Sequence, residues 1–276
     1  MTELSPSVFV FCALACEARP LIQARRLKKL PGKEHAFMVY AADEMVLIIS
    51  GVGKLAMAGA VGYGLGLFPN HRRWPLLINL GIAGHRDYPL GALCLAHKIT
   101  DSESGRCFFP QLPFATFCPT LPLTTHARSR VDYADDCLYD MEAAGFYEMA
   151  VKFSSSELIH VVKVVSDNAE NAIANINEAL VESWMGERLA AIEQLLIELN
   201  RLRQMMPVVE DSPLYRQIAG QFHFSVTSDL RLKALLQRWE LVMGGEALAW
   251  RDANPRNAKE LLVWMENQLE SVKFSL

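Results

Sequence analysis

Apolar residues fall along this chain in two rhythms. Short, mostly apolar runs occupy residues 8–14, 45–50, 75–80 and 159–165. Each is too short for a typical helix and reads as a core strand; residues 8–14 are apolar throughout, the pattern of a strand covered on both faces, and residues 159–165 are rich in β-branched side chains. Residues 37–40 and 90–99 also read as strands, the first joined to residues 45–50 by the turn Ala41-Ala42-Asp43-Glu44 and the second opened by Gly91. Between them lie stretches of helical character at 17–29, 54–65, 141–153 and 187–203. The last of these repeats apolar residues at Leu189, Ile192, Leu196, Leu199 and Leu202, one face of a helix. A helix that starts near Glu17 puts Pro20 in its first turn, where the missing N–H costs nothing. Two glycine-bearing segments, Gly51-Val52-Gly53 and Gly81-Ile82-Ala83-Gly84, read as switches out of a strand. Residues 101–123 carry Pro110, Pro113, Pro119 and Pro122 among aromatic residues and predict a loop or distorted hairpin.

Alternation of strand and helix predicts an α/β fold, a three-layer α/β/α sandwich with a central mixed sheet. The pattern changes after Met206. Pro207 and Pro213 bracket a predicted linker, followed by amphipathic helices at 230–242 and 258–272 that carry Trp239 and Trp264. This divides the chain into a domain at 1–206 and, at 207–276, a linker and C-terminal helical appendage, with the two tryptophans expected to pack it on the main body.

Composition narrows the function classes. Of 276 residues 51% are hydrophobic, enough for a sizeable core, and 27 basic against 31 acidic residues leave a net charge of -4, which gives no electrostatic reason to expect a nucleic-acid partner. The basic run Arg25-Arg26-Leu27-Lys28-Lys29 reads as solvated helix surface. Six cysteines without a CxxC pair predict free thiols in a reducing compartment, with no metal site and no cofactor. The start, MTELSPS, lacks a basic region, and the apolar stretch 55–69 holds four glycines; neither a signal peptide nor a membrane span is expected, and the predicted location is cytoplasmic. Gly51-Val52-Gly53-Lys54 matches neither a dinucleotide fingerprint nor a triphosphate loop.

Three carboxylates stand out because they end otherwise apolar segments: Glu17 after the first strand, Glu142 within Asp140-Met141-Glu142-Ala143-Ala144-Gly145, and Asp167 after Val164-Val165-Ser166. A buried carboxylate is costly and needs a partner or a task. A helix start or a turn cap is the competing explanation for each.

These residues, with Ser50-Gly51-Val52-Gly53-Lys54 and Asn79-Leu80-Gly81-Ile82-Ala83-Gly84 in the same order, resemble the purine-nucleoside phosphorylase and uridine phosphorylase superfamily over roughly residues 8–203. The chain is most similar in look to the methylthioadenosine/S-adenosylhomocysteine nucleosidases. The resemblance implies cleavage of the N-glycosidic bond of a purine nucleoside. It implies that Glu17 handles the attacking water, that Glu142 binds the ribose hydroxyls with Met141 against the sugar, and that Asp167 protonates the base with Ser166 beside it. It also implies a substrate-facing Gly81-Ile82-Ala83-Gly84 segment and a homodimer. Phe108 and Phe109 are candidates to stack on the base, and His126 to approach the sugar; Phe109 is carried forward as a substrate contact.

Two alternatives stay open. One is phosphate-dependent cleavage, for which bacterial hexameric phosphorylases place an arginine near the position of Glu17; here Arg19 lies two residues on. The other is a non-catalytic nucleoside-binding or scaffold protein. The chain departs from the family at Ile82, where a small hydroxyl residue is common, and at Asp101-Ser102-Glu103-Ser104-Gly105-Arg106, which lacks the nucleosidase pattern.

Overall fold

A computed structural model describes residues 5–32, 34–69, 71, 73–129, 133–171, 176–206, 212–243 and 248–271. Residues 1–206 and 207–276 form two compact units.

In the first unit, β1 (Val8–Cys12) lies between β4 (Met45–Ile49) and β5 (Leu76–His85), parallel to both. Its side chains alternate between two cores. Phe9 and Phe11 face one cluster with Val46, Ile48 and Leu77; Val8, Val10 and Cys12 face another with Leu47, Ile49, Leu76 and Ile78. This period of two explains the unbroken apolar run: both faces are covered, and each fully buried large aliphatic side chain contributes about 1.5–3 kcal/mol. Helices α2 (Lys54–Leu67) and α3 (Ala143–Ala150) pack into the first cluster. Helices α1 (Ala15–Ala24), α4 (Glu178–Glu187) and α5 (Leu189–Met205) pack into the second. The result is a mixed sheet between two helical layers.

Strands β3 (Met38–Ala42) and β2 (Lys28–Lys29) extend the sheet beyond β4. On the other side, β10 (Ile159–Asp167) pairs with β5 and with β6 (Leu93–Asp101); β6 pairs with β8 (Thr120–Thr125), β8 with β9 (Leu138–Asp140), and β9 returns to β5. That half of the sheet therefore closes on itself. The short β7 (Cys107–Phe108) pairs with β6. Closure sets the ends of β5, β9 and β10 side by side, with Asp167 opposite Gly84 and Gly84 opposite Tyr139.

Several expectations need correction. Helix α1 stops at Ala24, and Lys28–Lys29 pairs with β3 instead of continuing it; Arg26 has φ 51°, which breaks the helix. Pro20 lies inside α1, beyond the first turn. Gly81 and Gly84 do not end a strand, since β5 runs through to His85. The predicted irregular segment contains β8, which includes Pro122, and α4 precedes the helix expected at 187–203. Among the described residues, no helix is long and apolar enough to cross a membrane.

The second unit contains α6 (Pro213–Gln221), α7 (Val226–Met243) and α8 (Ala258–Ser271). Pro213 opens a helix, at a first-turn position suited to proline, where a linker was expected; Ser212 caps it through the Tyr215 amide. Ile218, Leu232, Leu235, Trp239, Trp250, Leu261 and Met265 form this unit's own core. Trp239 stacks on Trp264 at 6.3 Å, so both tryptophans serve that core.

Candidate active site

Three separate segments bring the predicted carboxylates to one cleft of about 200 Å³. Glu17 comes from the first turn of α1, Glu142 from the residue that precedes α3, and Asp167 from the last position of β10. Leu14, Val52, Ile82, Ala83, Gly84, Tyr139, Met141 and Ser166 line the same cleft. Of the predicted contacts, Phe109 is exposed and does not line it. Phe108 packs on Tyr147 at 5.5 Å, and His126 stacks on Tyr139 at 5.7 Å.

Glu17 is buried, and its carboxylate is held by main-chain donors. Oε2 accepts from the Ala13 and Leu14 amides, both at 2.8 Å, and Oε1 accepts from Ile82 at 2.9 Å. The Leu14 contact is the helix-start contact expected of a first-turn acid. The helix-start explanation therefore holds for this residue, which also lines the cleft. Burial raises the Glu17 pKa, opposed by the charge of Lys163 and by the amide hydrogen bonds. A Cβ on Gly81 would lie 2.7 Å from Oε1, so glycine here makes room for the acid within a continuing strand. The amide of Ile82 supplies a donor although its side chain has none.

Glu142 is also buried. Its Oε1 accepts from the Gly53 amide at 2.8 Å, and its Oε2 from Met141 at 3.3 Å. Gly53 has φ 109° and Gly51 has φ 80°, so the Gly51-Val52-Gly53 turn needs glycine to present that amide. Burial, then the negative charge of Asp140, push the Glu142 pKa up to about 7; Lys163 acts the other way.

Asp140 has a different task. Its Oδ1 accepts from Thr125 Oγ1 at 2.7 Å, and its Oδ2 accepts from the Ala143 amide at 2.9 Å and from Lys163 Nζ at 2.8 Å. It pins the start of α3 to the closed part of the sheet. Lys163 is the site residue that sequence reasoning missed. It is fully buried in the middle of β10, where burial alone would lower its pKa; Asp140, Glu142 and Glu17 outweigh burial and raise it. A lysine inside Val161-Val162-Lys163-Val164-Val165 was the available signal, because a lone buried cation demands an anionic partner.

Asp167 is buried at the far end. Ser166 Oγ donates to its Oδ1 and the Tyr133 hydroxyl to its Oδ2. A Cβ on Gly84 would lie 2.6 Å from Oδ2, so the second glycine of the segment also makes room for a carboxylate.

Among the described residues, no cationic side chain lines the cleft. Arg19, the possible phosphate ligand, instead pairs with Glu182 and, at 3.4 Å, with Glu178. Among the described residues, no group of three or more His, Cys, Asp or Glu side chains is arranged to hold a metal ion.

The sequence matches no family model and no curated protein. Its three-dimensional structure does match solved structures. The 5′-methylthioadenosine nucleosidase of Arabidopsis thaliana superposes with a TM-score of 0.54 at 15% identity, over 71% of this chain and 97% of that one. The futalosine hydrolase of Helicobacter pylori gives 0.52 at 14% identity, over 70% and 98%. The uridine phosphorylase of Schistosoma mansoni gives 0.53 at 11% identity, over 69% and 88%. The chain has the fold shared by nucleosidases and nucleoside phosphorylases.

Proposed function

We propose that this protein is a nucleosidase that hydrolyses the N-glycosidic bond of a purine nucleoside. The observation that carries this reading is the convergence of Glu17, Glu142 and Asp167 on one cleft from three distant segments. As the bond from the sugar to the base breaks, its electron pair leaves with the base and positive charge develops on the sugar. Ionised Glu142 accepts the ribose hydroxyls and stabilises that charge, with Met141 against the sugar. Protonated Asp167 delivers a proton to a ring nitrogen of the departing base, while Glu17 orients a water and takes its proton as the oxygen bonds to the sugar carbon. Ile82, Ala83 and Gly84 line the cleft; Gly81 does not, but its lack of a Cβ makes room for Glu17.

Hydrolysis is favoured over phosphorolysis because, among the described residues, the cleft is lined by carboxylates and by no cationic side chain, and a phosphate anion would meet repulsion from those carboxylates. Purine nucleosides, 5′-methylthioadenosine among them, incubated with and without phosphate and analysed by chromatography test the reading. Free base and free sugar are expected in both cases. A strictly phosphate-dependent sugar 1-phosphate would assign a phosphorylase, and bound but uncleaved nucleoside a binding protein.

The proposal extends to a cytoplasmic homodimer that uses no cofactor, metal, nucleic acid or membrane. Leu55 of α2 is 90% exposed, an apolar side chain available to a second copy. Sedimentation at micromolar concentration is expected to give the dimer mass; a monomer throughout that range removes this part.

A further inference from the structure

The proposed reaction requires Asp167 to carry a proton, yet each of its oxygens already accepts a hydrogen bond from a side-chain hydroxyl. Ser166 donates to Oδ1 and Tyr133 to Oδ2. Both oxygens are therefore occupied by intramolecular donors, and neither is open to a base in this arrangement. Ser166 is the neighbour of Asp167 on β10. Tyr133 comes from the connection between β8 and β9, so its contact depends on tertiary placement.

That placement is constrained. The Tyr133 ring is buried and packs edge-on against Tyr139, with centroids 5.7 Å apart. It also lies against Gly84, where a Cβ would come within 2.8 Å of Tyr133 Cε1. The backbone of Tyr133 has φ 38°, in the left-handed region that a bulky residue rarely adopts. Strain of this kind persists where surrounding contacts impose it. Burial, followed by the hydrogen bond to Asp167 and its charge, raises the Tyr133 pKa, which leaves the hydroxyl a neutral donor.

We propose that Tyr133 is a positioning residue that acts as a latch on Asp167: its hydroxyl occupies Oδ2, and withdrawal of that hydroxyl frees Oδ2 to meet the base. The proton enters from solvent, resides on Asp167, and passes to the ring nitrogen as the glycosidic electron pair arrives there. Tyr133 neither gives nor receives it. The other titratable groups around the cleft are Glu17 from α1, Tyr139 and Asp140 from β9, Glu142 at the start of α3, and Lys163 on β10; His85 lies at the end of β5. Tyr133 hydrogen-bonds to Asp167.

The inference rests on the nucleosidase reading, and its test separates the two. Tyr133→Phe keeps the ring and removes the hydroxyl. Calorimetric titration of the full chain with adenine is expected to show binding roughly tenfold tighter in the variant, the scale of one hydrogen bond to a charged group. This readout holds whether or not a nucleoside is cleaved. In wild-type protein, the ¹³C-labelled Tyr133 ring resonance is expected to move when adenine is added, a measurement that needs no variant. Unchanged adenine affinity, absence of adenine binding in both proteins, or an unmoved Tyr133 resonance overturns the latch. Absence of nucleoside cleavage with tighter adenine binding and a moved resonance overturns the nucleosidase reading alone.

Discussion

At the scale of single residues, the cleft separates carboxylates that hold structure from carboxylates with capacity for chemistry. Asp140 spends its oxygens on Thr125, the Ala143 amide and Lys163. Glu142, two residues on, keeps a face on the cleft, and its pKa of about 7 gives it a pH signature. If ribose binding requires the ionised form, kcat/KM falls as pH drops through about 7, because Glu142 then gains a proton. Glu142→Gln is expected to lower kcat/KM and to remove that acid limb; a variant that retains the wild-type limb assigns it to another group. Asp167→Asn lacks the proton donor, and turnover is expected to fall roughly 10²-fold or more on a substrate whose base needs protonation. Steady-state assays alongside melting curves check this, and near-wild-type turnover removes Asp167 from the role. All three acids were legible as apolar segments ending in a carboxylate. Tyr133 was not, because its link to Asp167 spans 34 residues of sequence and is created by the closure of the sheet.

Strand β10 shows the same division at the scale of an element. Its β-branched residues predict a core strand, and Val161, Val162, Val164 and Val165 are buried as expected. Lys163 belongs to the same run and satisfies a buried cation's need for a partner through Asp140 at 2.8 Å. Loss of one partner in such a pair leaves an uncompensated charge and typically costs about 3–5 kcal/mol. Lys163→Met is therefore expected to lower unfolding stability by about that amount in urea. The double variant with Asp140→Asn is expected to recover part of the loss, since the carboxylate that bonds Lys163 directly is then neutral as well. A loss under about 1 kcal/mol in the single variant would show that the pair contributes little. Strand β5 teaches the complementary lesson. Gly81 and Gly84 read as a turn because glycine often marks one, yet they lie in a continuous strand where a Cβ would meet Glu17 and Asp167. Strand β8 was hidden by Pro122, which ordinarily argues against a strand.

At the scale of the whole molecule, the cleft draws its lining from residues 13–167, all within the first compact unit. The second unit has a core of its own around Trp239, Leu261 and Met265. We expect a chain ending at Met206 to fold and to keep the kcat/KM of the full-length protein within about threefold, a difference under about 1 kcal/mol. Parallel assays and melting curves of the two chains decide this. Aggregation or loss of activity on truncation would show that the second unit supports the first.

By itself the sequence determined the strand–helix alternation and the positions of three costly carboxylates. These follow from local physics: side-chain periodicity sets which residues can share a face, and an acid beside an apolar strand end is conspicuous wherever it lies. Only the tertiary structure decided which acids face the cleft and which is consumed by Lys163, and that the two glycines of β5 make room for carboxylates. It also decided that Tyr133 reaches Asp167. Those outcomes depend on β5, β9 and β10 being drawn side by side by closure of the sheet, a long-range pairing that sequence periodicity does not encode.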